Sequence, residues 1–375
     1  MHPVRLSIFA GVTATALGVL SALAGPAAAT VGATRVPAAR VPAASGPFKI
    51  GPANSAGTVA LTANGGKVAV FDIKSGLGKT HVCLIAPTGR TCWHSTYLLP
   101  PASTDNTFGR PGVFTPSAGH VVVLQQTCCE VNPNSTVLYT SSDGGKTFSA
   151  PVRVGALGVD ASELIGGQIL YTSQNNAGGL QVVSVPVAAS GPRPTARISS
   201  RVAYDVGLGQ YKGSALVGTD FIGSTYTTYL YHAAKGSNFD VATSYSSVAK
   251  FAGESLLAMS GGALLTDRVK GDAVLLRMFN GTAYGPAHVV AHIHGGLGTW
   301  LTVNQDPSGH VHVFAIMSTA NYHMLEVSTS TGGTAWTRAT DLGNAISSTA
   351  LSAATDSTGR GLVLGTVPAW GYPVP

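Results

Sequence analysis

Asp72, Asp220 and Asp267 each end a short apolar run of the same kind, in 67–73, 214–220 and 263–267. Carboxylates repeated at equivalent strand ends could form a ring that holds a hard cation or performs acid–base work on a glycosidic bond. The same pattern also reads as Asp capping a strand-to-loop turn through its side-chain oxygens. Two imidazole pairs invite a metal, because His292-x-His294 and His310-x-His312 each put two rings on one strand face. One pair precedes a strand and the other follows the turn at that strand's far end. No shared metal is therefore expected, and His292 and His294 remain ligand-contacting candidates. Cys128-Cys129-Glu130 is the least ordinary stretch. Adjacent cysteines would form a vicinal bridge, bind a soft metal as free thiols, or serve the structure alone.

These residues need a scaffold, and from residue 48 onward the chain repeats one. Two β runs flank a turn, a loop follows, and two further runs complete the unit. In the clearest copy 302–304 is a strand, Asp306-Pro-Ser-Gly309 a turn and 310–316 the second strand, with 323–329 and 337–342 as the third and fourth. Pairs of second and third strands recur at 67–73 with 81–86, 120–126 with 136–140, 168–173 with 180–185, 214–220 with 227–232, and 263–267 with 273–279. A period of about 40 to 50 residues is that of four-stranded propeller blades. Six units are nearly complete, and a partial seventh over 350–367 could be closed by Phe48-Lys-Ile. The expected fold is all-β, a single β-propeller over 48–375, with seven blades favoured over six. Such a ring leaves no long free sheet edge.

In a propeller, the loops between second and third strands and those joining blades share one face. Blade-joining segments supply Arg110, Asp160, Arg201 with Tyr204 and Asp205, Glu254, and His292 with His294. The inner loops supply Asp72, Cys128 to Glu130, Asp220, and Asp267 with Arg268.

The start of the chain reads as an export signal over 1–29. A basic Met1 to Arg5 precedes an uncharged apolar run, and Ala27-Ala-Ala29 gives the small residues a signal peptidase needs. Residues 30–47, with Arg35-Val-Pro-Ala-Ala and Arg40-Val-Pro-Ala-Ala, read as a Pro/Ala linker. A secreted monomer with no membrane span after cleavage is the expectation. Only 10% of residues are charged, with 47 Gly and four Glu, which favours strands and Gly-rich turns over helices. The net charge of +6 is scattered rather than gathered into a basic stripe, so nucleic acid is not an expected partner. For an exported chain a disulfide is expected between Cys83 and Cys92, facing each other across a hairpin that turns at Pro87-Thr88.

Ser141-Ser-Asp143-Gly-Gly145-Lys-Thr147-Phe148 matches the pattern Ser-x-Asp-x-Gly-x-Thr-(Trp/Phe) at every defined position. Degenerate copies fall at corresponding places, in Thr329 to Trp336, Arg277 to Tyr284 and His232 to Phe239. The chain thereby resembles the sialidase-like Asp-box (BNR repeat) propellers. The resemblance implies that Ser141, Asp143, Gly145, Thr147 and Phe148 build a hairpin on the rim opposite the ligand pocket. A sialidase would further need three arginines on a carboxylate, with Arg110, Arg201 and Arg268 the candidates, a tyrosine such as Tyr204 or Tyr322, and carboxylates such as Asp205 and Glu254. The family's Phe/Tyr-Arg-Ile-Pro segment has only Phe48-Lys49-Ile50-Gly51-Pro52 as its nearest text, and lysine lacks the planar fork. The reading that follows is a propeller binding an extracellular glycan or protein, without cofactor, and a glycoside hydrolase is the alternative.

Overall fold

The structure, a computed structural model, describes residues 46–51, 55–73, 78–101, 106–128, 135–155, 161–175, 179–187, 195–224, 226–233, 245–270, 273–292, 300–317, 323–344, 351–366 and 369–375. The chain divides into 1–40 and 41–375, and every described residue belongs to the second unit. The expected signal and nearly all of the expected linker lie outside the described residues.

Seven four-stranded antiparallel sheets form a β-propeller, with no helix among the described residues. Blades I to VI span 55–98, 106–155, 162–197, 203–252, 254–292 and 300–344. Blade I shows the plan, with Ser55–Leu61 innermost, then Lys67–Ile73, Lys79–Ile85 and Cys92–Leu98. Blade VII takes Leu351–Thr355, Gly361–Thr366 and Ala369–Val374 from one end of the chain and Phe48–Lys49 from the other. Phe48 pairs with Gly371 and Lys49 with Trp370, so the expected ring closure is present.

Burial explains why the repeat was visible. Second and third strands are covered on both faces by neighbouring blades, so Val68, Ala69, Val70 and Phe71 are all fully buried and the run reads as continuously apolar. Outer strands cover only one face, and Cys92–Leu98 alternates between half-buried and exposed residues. Core clusters accordingly straddle blades. One gathers Val68, Val70 and Val82 of blade I with Val121, Val123 and Tyr139 of blade II.

The Cys83–Cys92 bond is present, with Cα atoms 5.3 Å apart. The two residues are not directly opposed as expected. Cys83 faces Ser95 and Cys92 faces Ile85, because a bulge after Leu84 shifts the register and the connection runs over 86–91 rather than two residues. The bond closes a short loop, which limits the unfolded chain by about 2–3 kcal/mol on chain-entropy grounds. Replacing both cysteines by alanine should therefore lower the urea midpoint to that of the reduced wild type, and a midpoint unmoved by reductant would refute the estimate.

The Ser141 to Phe148 hairpin is built as its residue types require. Asp143 Oδ1 accepts from the Ser141 hydroxyl at 2.8 Å and from the amides of Lys146 and Thr147 at 3.0 Å each. Its Oδ2 accepts from the Thr147 hydroxyl at 2.7 Å. Four donors on one exposed carboxylate hold its pKa far below the usual range, the Thr147 amide contributing most. Gly145, at φ 90°, lies so near blade I that a Cβ would meet Leu84 at 3.0 Å. The copy at Thr329 to Trp336 repeats the turn, with the Thr331 hydroxyl standing in for the carboxylate and accepting from the Ala335 amide at 2.9 Å. Asn280 carries a different turn, accepting from the Thr282 and Ala283 amides at 3.0 Å. Residues 234–244, which hold most of the fourth copy, lie outside the described residues.

Candidate functional site

The innermost strands of all seven blades line a central channel of about 1530 Å³. Its upper mouth, where these strands begin, is ringed by residues including Thr58, Arg110, Glu163, Asp205, Leu301 and Leu351. Its lower mouth holds the turns carrying Lys212, Asp306 and Asp356.

Arg110 comes from blade II but reaches across blade I. Its Nε donates to the Gly57 carbonyl at 3.2 Å and its Nη2 to the Leu351 carbonyl at 2.6 Å. Protein surrounds it while water reaches it through the mouth, and burial pulls its pKa down to about 10. It staples blades VII, I and II. Arg201 belongs to the other side of the ring, over the blade IV rings of Phe221 and Tyr229 at 4.5 and 5.3 Å from their centroids. Arg268 ends the second strand of blade V and is exposed. The three arginines thus occupy three separate settings. Lys49, in the nearest text to the family's missing Arg segment, lies in the outermost strand of blade VII, at the perimeter rather than the channel.

Two carboxylates do meet on blade IV. Asp205 of the inner strand and Asp220 of the second strand are directly opposed in the ladder, just after a bulge at Ala203 to Asp205. Asp220 is buried, its Oδ1 accepting from the Thr228 hydroxyl at 2.7 Å and its Oδ2 from the Leu256 amide of blade V at 2.9 Å. That is the capping role open to it from the sequence, extended across a blade boundary. Asp205 is exposed at the channel mouth. Its pKa is raised by desolvation first and by the charge of Asp220 second, and that of Asp220 is raised by desolvation.

The same upper end of blade IV carries exposed apolar groups. Tyr204 is 76% exposed, and Val202, Ile222 and Tyr226 are exposed with it. Tyr226 has φ 57°, a left-handed backbone that costs a bulky residue about 1–2 kcal/mol, and its carbonyl accepts from the Gly253 amide at 2.7 Å. Strain of this kind collects at functional sites.

Other candidates have structural work. Glu254 is buried, pairs with Arg277 at 2.7 Å and accepts from the Thr266 hydroxyl at 3.1 Å, and it is not part of the channel wall. Asp267 and Asp72 sit at positions matching Asp220, opposite Val274 and Thr80. His292 is an exposed residue ending the outer strand of blade V, whereas His310 and His312 adjoin the lower turn of blade VI. Cys128 ends the second strand of blade II, while Cys129, Glu130, Asp160, His294 and Tyr322 lie outside the described residues.

Sequence reasoning passed over Glu163, whose carboxyl faces the channel from blade III and is pushed up to about 7 by burial. The available signal was its place at the start of a first strand, in a chain with only four Glu. Tyr229 falls inside the strand expected over 227–232, and no spacing in the sequence marks Tyr226.

No protein-family model matches the chain, and no curated protein sequence does. Solved structures do. The β-propeller domain of the Trilobed protease from Pyrococcus furiosus, described as having an open velcro topology, is similar with a TM-score of 0.52 at 6% identity, over 83% of this chain and 91% of that one. A Mycobacterium tuberculosis puromycin-hydrolyzing peptidase gives 0.52 at 13%, over 88% and 56%. A Hadza microbial sialidase gives 0.47 at 11%, over 88% and 66%, so the chain spans less than two thirds of the length of these last two. At such identities the likeness is one of fold. In this chain the last blade is completed by Phe48–Lys49.

Proposed function

We propose that this chain is an exported binding propeller that takes a polyhydroxylated extracellular ligand, a glycan, at the upper channel mouth on blade IV. The reading is carried by the Asp205–Asp220 pair lying at the same sheet end as the exposed rings of Tyr204 and Tyr226. Carboxylate oxygens accept hydrogen bonds from sugar hydroxyls, and an aromatic ring offers a flat apolar face to the C–H side of a sugar. The Asp-box resemblance read from Ser141 to Phe148 and the export signal read from residues 1–29 support the same assignment.

Glycoside hydrolysis is the second reading, favoured by one observation: Asp205 and Asp220 are directly opposed in the ladder at the channel mouth, and glycosidases act with two carboxyl groups flanking one bond. A screen of immobilised glycans with wild type and Asp205→Asn, alongside a reducing-sugar assay, separates the two. Binding weakened by Asp205→Asn without bond cleavage supports a binding protein, and cleavage abolished by it supports the hydrolase. No glycan bound and none cleaved would sink both. Tyr226→Gly should stabilise the fold by about 1 kcal/mol through relief of the left-handed backbone, while weakening glycan binding. Unchanged binding in that variant would remove Tyr226 from the site.

A further inference from the structure

The opposite face of blade IV, turned toward blade III, has a different chemistry. Phe221, Tyr229 and Tyr231 belong to the cluster shared with Ile165, Leu170 and Leu180 of blade III, whereas Asp220 points toward blade V. Arg201 lies across the Phe221 and Tyr229 rings. From the outer strand Lys250, directly opposite Tyr229 in the ladder, puts its Nζ 5.3 Å from the centroid of the same ring. Two cations therefore lie within 5.3 Å of the centroid of one phenol ring. Among the described residues no carboxylate lies within ion-pair distance of either, although carboxylates pair with Arg277, His310, His312 and His323 elsewhere. The phenol responds to this field. Its pKa is lowered, first by its hydrogen bond from Arg201 and further by the charges of Lys250 and Arg201, although its own desolvation works the other way.

Like charges held together without a counterion repel each other, and the arrangement is stabilised by whatever anion enters. A guanidinium fork, an ammonium and a phenolic hydroxyl supply three separate donor groups, enough to meet several oxygens of a tetrahedral oxyanion. The rings beneath Arg201 keep its fork from folding away, which reduces the ordering cost of binding. We infer that Arg201, Tyr229 and Lys250 form an oxyanion site between blades III and IV, for a sulfate or phosphate ester group. The site is separate from the Asp205–Asp220 pair and stands whether or not a glycan binds there.

The probes are inorganic sulfate and inorganic phosphate, titrated into the folded protein by calorimetry against sodium chloride at matched ionic strength. The expected result is saturable binding of either oxyanion that Lys250→Ala weakens about tenfold, the loss of one charge-assisted hydrogen bond. Lys250 is exposed on an outer strand, so its removal leaves the core intact. Tyr229→Phe should weaken binding less while keeping the ring that supports Arg201. Arg201→Lys keeps the charge and should still lose affinity, because the fork is lost. Binding unaffected by Lys250→Ala and Tyr229→Phe, or a response equal to that of chloride, overturns the site.

Discussion

A chain beginning at residue 52 should fail to give a cooperative melt, whereas one beginning at residue 46 should melt as the full chain does. The segment removed between these two starts is six residues, 46–51, yet it touches three blades. Phe48 and Ile50 are buried with Val59, Phe71 and Ile85 of blade I and with Leu362 and Leu364 of blade VII. Arg90 of blade I lies over the Phe48 ring and donates to the Gly46 carbonyl. Pro47 packs so close to Gly343 of blade VI that a Cβ there would come within 2.7 Å. Burial of the two apolar side chains alone is worth about 3–6 kcal/mol. The whole domain has a net stability of order 5–15 kcal/mol, so the loss removes a large part of it and exposes the edge of blade VII as well. Circular dichroism melts of the two truncations provide the check. Superimposable curves would show that the ring holds without its closing strand.

Glu163→Gln should stabilise the protein at pH 8 and leave it unchanged at pH 4. A carboxyl whose folded pKa is raised to about 7 binds its proton more tightly in the native state than in the unfolded one. Its contribution is complete below the unfolded value, about 4.3, and is lost as pH rises through the folded value of about 7. Across that window wild-type stability should fall by at most about 3 kcal/mol, less to the extent that channel water screens the charge. Glutamine keeps the shape and cannot ionise, so its curve should be flatter by that amount. Asp205 and Asp220, also raised, act in the same sense in both proteins and cancel in the difference. Urea midpoints at intervals from pH 4 to 8 give the answer, and parallel curves would mean that Glu163 is ionised without penalty.

The ring was legible because its period is written in side chains that a blade must bury. Runs such as Val121 to Leu124 are apolar at successive positions only because blades cover both faces. The short strand Phe48–Lys49 was also legible, since a partial last unit needs a partner. The site was less so. Residues at equivalent strand ends were grouped correctly, but spacing along a strand does not tell which face a side chain takes, and a bulge such as that at Ala203 to Asp205 resets the count. Glu254 looked like a ligand-face acid and proved to be the partner of Arg277, from the third strand of its own blade. Arg110 looked like a free fork and proved to be committed to two carbonyls. Lys250 and Tyr229 belong together through strand pairing alone, 21 positions apart, which no local motif records.

The pairing of Phe48 with Gly371 also sets an order of events. Each blade is made of neighbouring hairpins and can form early, because its contacts are close in sequence. The closing strand must wait for residues more than 300 positions later. Until then the edge of blade VII is open to any extended segment, including the same strand from another copy. Refolding should accordingly show a late step whose yield of monomer falls as protein concentration rises, with exchanged dimers joined through residues 46–51 as the competing product.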